Sequence, residues 1–350
     1  MQRRRLLKFA TASAPALLAA TASPWVRAAD TKSTPAPTPI RFTLDFRVTG
    51  QVAPFFVALA RGFYREQGLD VSIDVGNGSV ASITRVASGA YDMGFGDISA
   101  LIEFNSQPAN ANLARAVYQY YNRAPFVIIG RKDRGLTSDW KSVAGKRIGA
   151  AAVESTRRAW PMAAKHLGMK PDAFEWITTD FSQRDNVIVR GDVDGATFFH
   201  DSAVSLFQRI PLDQLAVLKY ADTGLKLYGN AILASSKLIA TNPTAVAGFV
   251  RATQRGLNDT LADPAAAMAH VTAREPMLAA AVELERWRIT AGYVAGADTR
   301  EHGLGGIHRA LAEKQIAEVA DTFGLKTPPA FDAVYDLRHL PPLTERMTKG

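Results

Sequence analysis

Short apolar runs of two different periods alternate along most of this 350-residue chain, and that alternation limits the folds open to it. Arg41-Phe42-Thr43-Leu44-Asp45-Phe46 alternates as a half-buried strand does. Phe55, Phe56, Ala58, Leu59, Ala60 and Phe63 then recur at helical spacing, and Gly68 closes that helix. Leu69 to Val75 alternates again. Strand, helix and strand in close succession predict a right-handed parallel unit.

The pattern repeats. Gly76-Asn77-Gly78-Ser79 leads into a helix containing Ile83, Val86 and Ala87, and Tyr91 to Phe95 reads as a short strand. Further strands are predicted at 117–121, 126–129, 146–150, 176–179, 193–198 and 215–220, with a helix over 155–167. From Asn242 the chain reads as mostly helical, and Asn242-Pro243 and Asp263-Pro264 mark helix starts. The fold class expected is α/β, with mostly parallel sheets flanked by helices and a helical C-terminal part.

Residues 1–28 read as an export signal. Arg3-Arg4-Arg5-Leu6-Leu7-Lys8 is followed by a small-residue apolar run and by Val26-Arg27-Ala28. That order is a charged, an apolar and a cleavage region, and the arginine pair resembles a twin-arginine signal. The run from Phe9 to Ser23 is shorter and more polar than a membrane span. Cleavage after Ala28 removes Arg3, Arg4, Arg5, Lys8 and Arg27, which lowers the net charge from +8 to +3. The basic pI is then partly a targeting feature, and no nucleic-acid partner is expected. Residues 29–39, rich in Thr, Lys, Ser and Pro, read as a linker.

The chain has no cysteine, which removes thiolate metal sites and Cys nucleophiles. Its six histidines are scattered, without the His-Glu-x-x-His spacing that puts two ligands on one helix face. A Gly-x-Ser-x-Gly elbow is absent as well. No nucleophile–base–orienter set can be assembled, so neither enzymatic activity, a metal nor a cofactor is expected.

Candidate ligand contacts lie where predicted strands end. Ligands of open α/β sheets bind beyond those carboxyl ends, where helix N-termini offer unpaired N–H groups. Gly78-Ser79, Asp97 with Ser99, and Ser155-Thr156 fit, although such residues also serve as ordinary helix caps. Asp45, Phe46, Arg47 and Thr49 follow the first strand, and Tyr121, Phe199 and His200 end others. Arg47 and Arg157 could hold an anion, while Phe46, Tyr121 and Phe199 could stack on a flat ring.

Four stretches carry a family resemblance. They are Pro54 to Val71, Val86-Ala87-Ser88-Gly89-Ala90-Tyr91-Asp92-Met93-Gly94, Val143-Ala144-Gly145-Lys146-Arg147-Ile148-Gly149, and the segment from Asn242-Pro243 to Asp263-Pro264-Ala265-Ala266-Ala267. In this order they resemble periplasmic substrate-binding proteins of ABC importers, in the group of aliphatic-sulfonate, nitrate and taurine binders and thiamine-pyrimidine synthase-like proteins. The resemblance implies a two-lobe, type II periplasmic binding fold, with lobe I over 40–129 and 230–350 and lobe II over 130–229. It also implies a small organic ligand held between lobes, an ABC transporter membrane permease as partner, a monomer, and a periplasmic location. Two departures leave the ligand open: Phe46 stands where many relatives have tryptophan, and Phe199-His200-Asp201 where many have Trp-Glu-Pro. A sulfonate, a carboxylate or a pyrimidine-like ring all remain. The alternatives are a ligand-presenting sensor module and a same-fold synthase, which in those relatives uses a cysteine-rich segment with iron.

Overall fold

The computed structural model describes residues 36–347. The expected export signal and the first part of the linker lie outside the described residues. The strands are β1 (Thr38–Thr43), β2 (Leu69–Asp74), β3 (Met93–Asp97), β4 (Ala114–Gln119), β5 (Phe126–Arg131), β6 (Arg147–Ala150), β7 (Glu175–Thr178), β8 (Gly195–Phe199), β9 (Leu215–Lys219) and β10 (Asn230–Ser235). They form two five-stranded sheets, ordered β2-β1-β3-β10-β4 and β7-β6-β8-β5-β9.

In the first sheet β1 pairs parallel with β2 and β3, with Thr38 opposite Leu69 and Phe42 opposite Met93. In the second, β6 pairs parallel with β7 and β8. The expected α/β class with mostly parallel sheets is therefore what the protein adopts. Each sheet also has one reversed strand in its fourth place. β10 runs antiparallel to β3 and β4, and β5 runs antiparallel to β8 and β9. The chain passes between sheets twice, through residues 120–125 and 220–229.

The sequence did not announce β10. All six of its residues are buried, so it lacks the alternation that marks a half-buried strand. β1 also begins and ends earlier than predicted, which leaves Leu44, Asp45 and Phe46 beyond the strand end. The first helix is Ala53–Ala60, shorter than its apolar pattern. Gly62 breaks it with a φ of 76°, and a separate turn follows at Phe63–Glu66.

An aromatic series links the cores of the two sheets. Phe42 meets Phe55 at 4.9 Å between ring centroids, Phe55 meets Tyr120 at 5.7 Å, and Tyr120 meets Tyr121 at 5.2 Å. Tyr121 then touches Phe199 at 6.2 Å and Phe199 touches Phe126 at 5.4 Å. Each buried ring contributes about 1.5–3 kcal/mol of burial and fixes its neighbours by contact, so Phe199 is held from both sides. No helix among the described residues is long and apolar enough to cross a membrane.

Candidate functional site

A narrow cavity of about 40 Å³ lies where the strand ends of both sheets converge. Asp45, Phe46 and Gln51 reach it from beyond β1, and Gly78 and Ser79 from beyond β2. Glu154 and Ser155 enter from beyond β6, Phe181 and Arg184 from beyond β7, and Phe199 and Ser202 from the end of β8. Carboxyl ends of parallel strands supply every wall, as expected for an open α/β sheet.

Two aromatic rings meet in this cleft, tilted against each other. Phe46 and Phe181 stand 5.3 Å apart between centroids. Gly78 packs beside the Phe181 ring, and its φ is +92°. A positive φ of this kind favours glycine.

Two carboxylates line the same space. Asp45 is buried; its Oδ2 accepts a 2.7 Å hydrogen bond from the Asn230 side chain, and its Oδ1 has no protein partner. Burial raises its pKa to about 7, against the opposing pull of that Asn230 bond. Glu154 is also pushed up by burial, with the Arg184 guanidinium opposing the rise. Arg184 donates to Glu154 Oε1 at 2.6 Å and to the Thr197 carbonyl at 2.9 Å. Its guanidinium lies between the Phe181 and Phe198 rings, at 5.2 and 4.7 Å. The cleft therefore offers flat apolar faces, one unpartnered carboxylate oxygen, and an ion pair held in the wall.

Of the fourteen residues expected to contact ligand, Asp45, Phe46, Gly78, Ser79, Ser155 and Phe199 come together here. The others are placed elsewhere, each for a physical reason. Arg47 is exposed, with its guanidinium 5.1 Å from the centre of the Phe46 ring. Arg157 lies over Trp176 at 4.9 Å and bonds the Thr178 hydroxyl. Thr49 precedes the turn Gly50–Val52. Thr156 is fully buried and donates to the Phe198 carbonyl. Tyr121 donates to Asp201 at 2.6 Å. His200 is hydrogen-bonded to Tyr293 at 3.0 Å, and burial, with a smaller push from Lys219, lowers its pKa to about 4.

Asp97 and Ser99 line a smaller adjoining cavity together with Ser155 and Arg158. Asp97 caps its helix through the Ala100 N–H, and burial raises its pKa to about 7. Arg158 pairs there with Glu103, so of the two adjacent arginines it is Arg158 that faces the strand ends. Sequence reading missed Gln51, Glu154, Phe181, Arg184 and Ser202. The strand-end rule applied to Trp176–Thr179 would have pointed at residues 180–184.

A family model described as NMT1/THI5 like matches residues 49–267. The chain belongs to that family. A curated relative is the 4-amino-5-hydroxymethyl-2-methylpyrimidine phosphate synthase of Aspergillus parasiticus. It is 26% identical over 249 residues, spanning 68% of this chain and 71% of that protein. Among solved structures, the alkanesulfonate-binding protein SsuA of Xanthomonas axonopodis pv. citri aligns with a TM-score of 0.67. The identity is 14%, and the match covers 86% of this chain and 99% of that one. The periplasmic nitrate-binding protein NrtA of Synechocystis PCC 6803 aligns with a TM-score of 0.64 at 12% identity, covering 88% and 87%. The fold is that of periplasmic binding proteins, as the resemblance implied.

The expectation of no enzymatic activity does not stand, because curated relatives of this length and coverage are named synthases. That expectation rested on a missing nucleophile and missing cysteines, which test for nucleophilic and thiolate chemistry only. A buried carboxyl with a pKa near 7, such as Asp45, can move protons without either. Among the described residues, no group of three or more His, Asp or Glu side chains is arranged to hold a metal ion. The residues present therefore do not fit the iron centre that the resemblance implies for the synthases.

Proposed function

We propose that this protein is an extracytoplasmic solute-binding protein whose cleft takes a small planar ligand with hydrogen-bond donors, a pyrimidine-like ring, and passes it to an ABC transporter permease. The observation that carries this reading is the Phe46–Phe181 pair beside the unpartnered Asp45 oxygen. A flat ring can stack on an exposed face of either aromatic side chain, and an amino or ring N–H fits an acceptor that has no other partner. An anion fits less well. Neither Arg47 nor Arg157 reaches the cleft, the lining Arg184 is already paired with Glu154, and an ionised Asp45 would repel a sulfonate or carboxylate. In this reading residues 1–28 direct export and are cleaved. The segments 40–129 with 230–350, and 130–229, are two lobes that close on the ligand by a hinge motion.

Isothermal calorimetry tests it. 4-Amino-5-hydroxymethyl-2-methylpyrimidine, the ring in the relatives' names, should bind more tightly than an alkanesulfonate or nitrate. Tighter binding of either anion refutes the ligand class, and binding of none of the three refutes the cleft as a solute site. The synthase relatives favour a second reading, in which the same cleft performs chemistry on a pyrimidine. Mass spectrometry of the ligand after incubation with the protein separates the two, since a transport protein returns it unaltered.

A further inference from the structure

One buried helix face touches both halves of the cleft. Glu283, Arg286, Thr290 and Tyr293 recur at three- and four-residue spacing along the helix Ala280–Val294, which puts them on a single side. Glu283, Arg286 and Thr290 are all buried.

At the first turn of this helix, Glu283 accepts the Gly50 N–H at 2.6 Å. Gly50 belongs to the loop that carries Asp45, Phe46 and Gln51 into the cleft. A Cβ at position 50 would collide with the Glu283 carbonyl, so the loop reaches the helix this closely because residue 50 is glycine.

One turn further, Arg286 bonds Glu283 at 3.0 Å and donates to the Asp201 carbonyl at 2.7 Å. Thr290 donates to the Asp201 carboxylate at 3.0 Å, and Tyr121 donates to the same oxygen. Asp201 stands beside Phe199 and Ser202, which line the cleft from the second sheet. The connected path Gly50–Glu283–Arg286–Asp201 thus runs from the first-sheet loop to the second-sheet loop. Its charged members are shielded from water, so neither can exchange its protein partner for solvent cheaply. Buried networks of this kind are kept or lost together.

We propose that Glu283, Arg286 and Thr290 are positioning residues that make the two cleft loops respond as one, so that ordering either loop around a ligand orders the other. This rests on the cleft being the ligand site. Such coupling is reciprocal by linkage: loosening the Gly50 end must loosen the Asp201 end, and the reverse.

Hydrogen–deuterium exchange on the ligand-free protein tests it with two variants of nearly unchanged shape. Glu283→Gln weakens a charge-assisted bond at one end, and Thr290→Val removes a hydroxyl at the other. Each should raise exchange about tenfold at its own loop and at least about threefold at the distant one, residues 50–52 and 202–204. The strand β5 serves as an internal reference and should not change. Exposed Arg288→Ala on the same helix should leave both loops as they are. Loosening confined to each variant's own loop overturns the proposal, and so does an equal rise in β5, which would mean general destabilisation. Because no ligand is added, failure of the aminopyrimidine to bind leaves this result standing, and failure of the coupling leaves the calorimetry standing.

Discussion

Replacing Asp45 with asparagine should stabilise the fold at alkaline pH while weakening the cleft. Burial moves the Asp45 carboxyl from 3.8 to about 7 in the folded protein. A raised folded pKa means that the neutral form is the one the fold favours. The resulting stability is fully present below pH 3.8 and is lost as pH rises to about 7. Above that, the wild-type protein holds an ionised, desolvated carboxylate. About three units at about 1.4 kcal/mol each set a ceiling of about 4 kcal/mol on that penalty.

Asparagine has the same shape and does not ionise, and its carbonyl can keep the bond from Asn230. Asp45→Asn should therefore gain about 2–4 kcal/mol relative to wild type between pH 4 and pH 8. Urea denaturation at the two pH values measures the change. Calorimetry should show about tenfold weaker binding of a donor-bearing ring, because the free acceptor becomes an amide. A stability difference that is the same at both pH values, or that turns against asparagine as pH rises, refutes the burial account of Asp45.

Two further outcomes follow from buried charge. Arg184→Met leaves Glu154 buried without its partner, and should cost about 3–5 kcal/mol in urea denaturation; adding Glu154→Gln should recover most of that loss, and a double variant as unstable as the single one refutes the pairing account. His200 has its folded pKa lowered to about 4, so its stability contribution is present above pH 6.5 and falls away as pH drops toward 4. His200→Gln should flatten that part of the stability curve by about 2–3 kcal/mol, measured as thermal midpoints across pH 4–7.

Much of the framework was legible before any coordinates. β2 reads as an alternating run because one face packs and the other meets solvent, and the helix Ser155–Leu167 appears at its predicted span. β10 was missed: its six residues are buried on both faces and lack a strand period, which left it, unlike the almost equally buried β5, unassigned among neighbouring apolar stretches. The strand-end rule located Asp45, Phe46, Gly78, Ser79, Ser155 and Phe199 because it depends only on chain order. It misjudged the cations. Arg47 and Arg157 stand next to the right loops, yet the rings of Phe46 and Trp176 hold them outside. Arg184 carried no local motif and enters because Glu154 and Thr197 capture it.

The amino-acid order by itself determined the α/β class, the loops that end at the cleft, and the absence of thiol chemistry. These follow from local periodicity and composition, which need no knowledge of neighbours. Tertiary structure alone decided which side chains share the cleft, which carboxyls have their pKa raised to about 7, and which helix ties the two loops together. Those properties belong to pairs far apart in the chain, Asp45 with Asn230 and Gly50 with Glu283. Burial and partner charge set them, and neither exists until the sheets have packed.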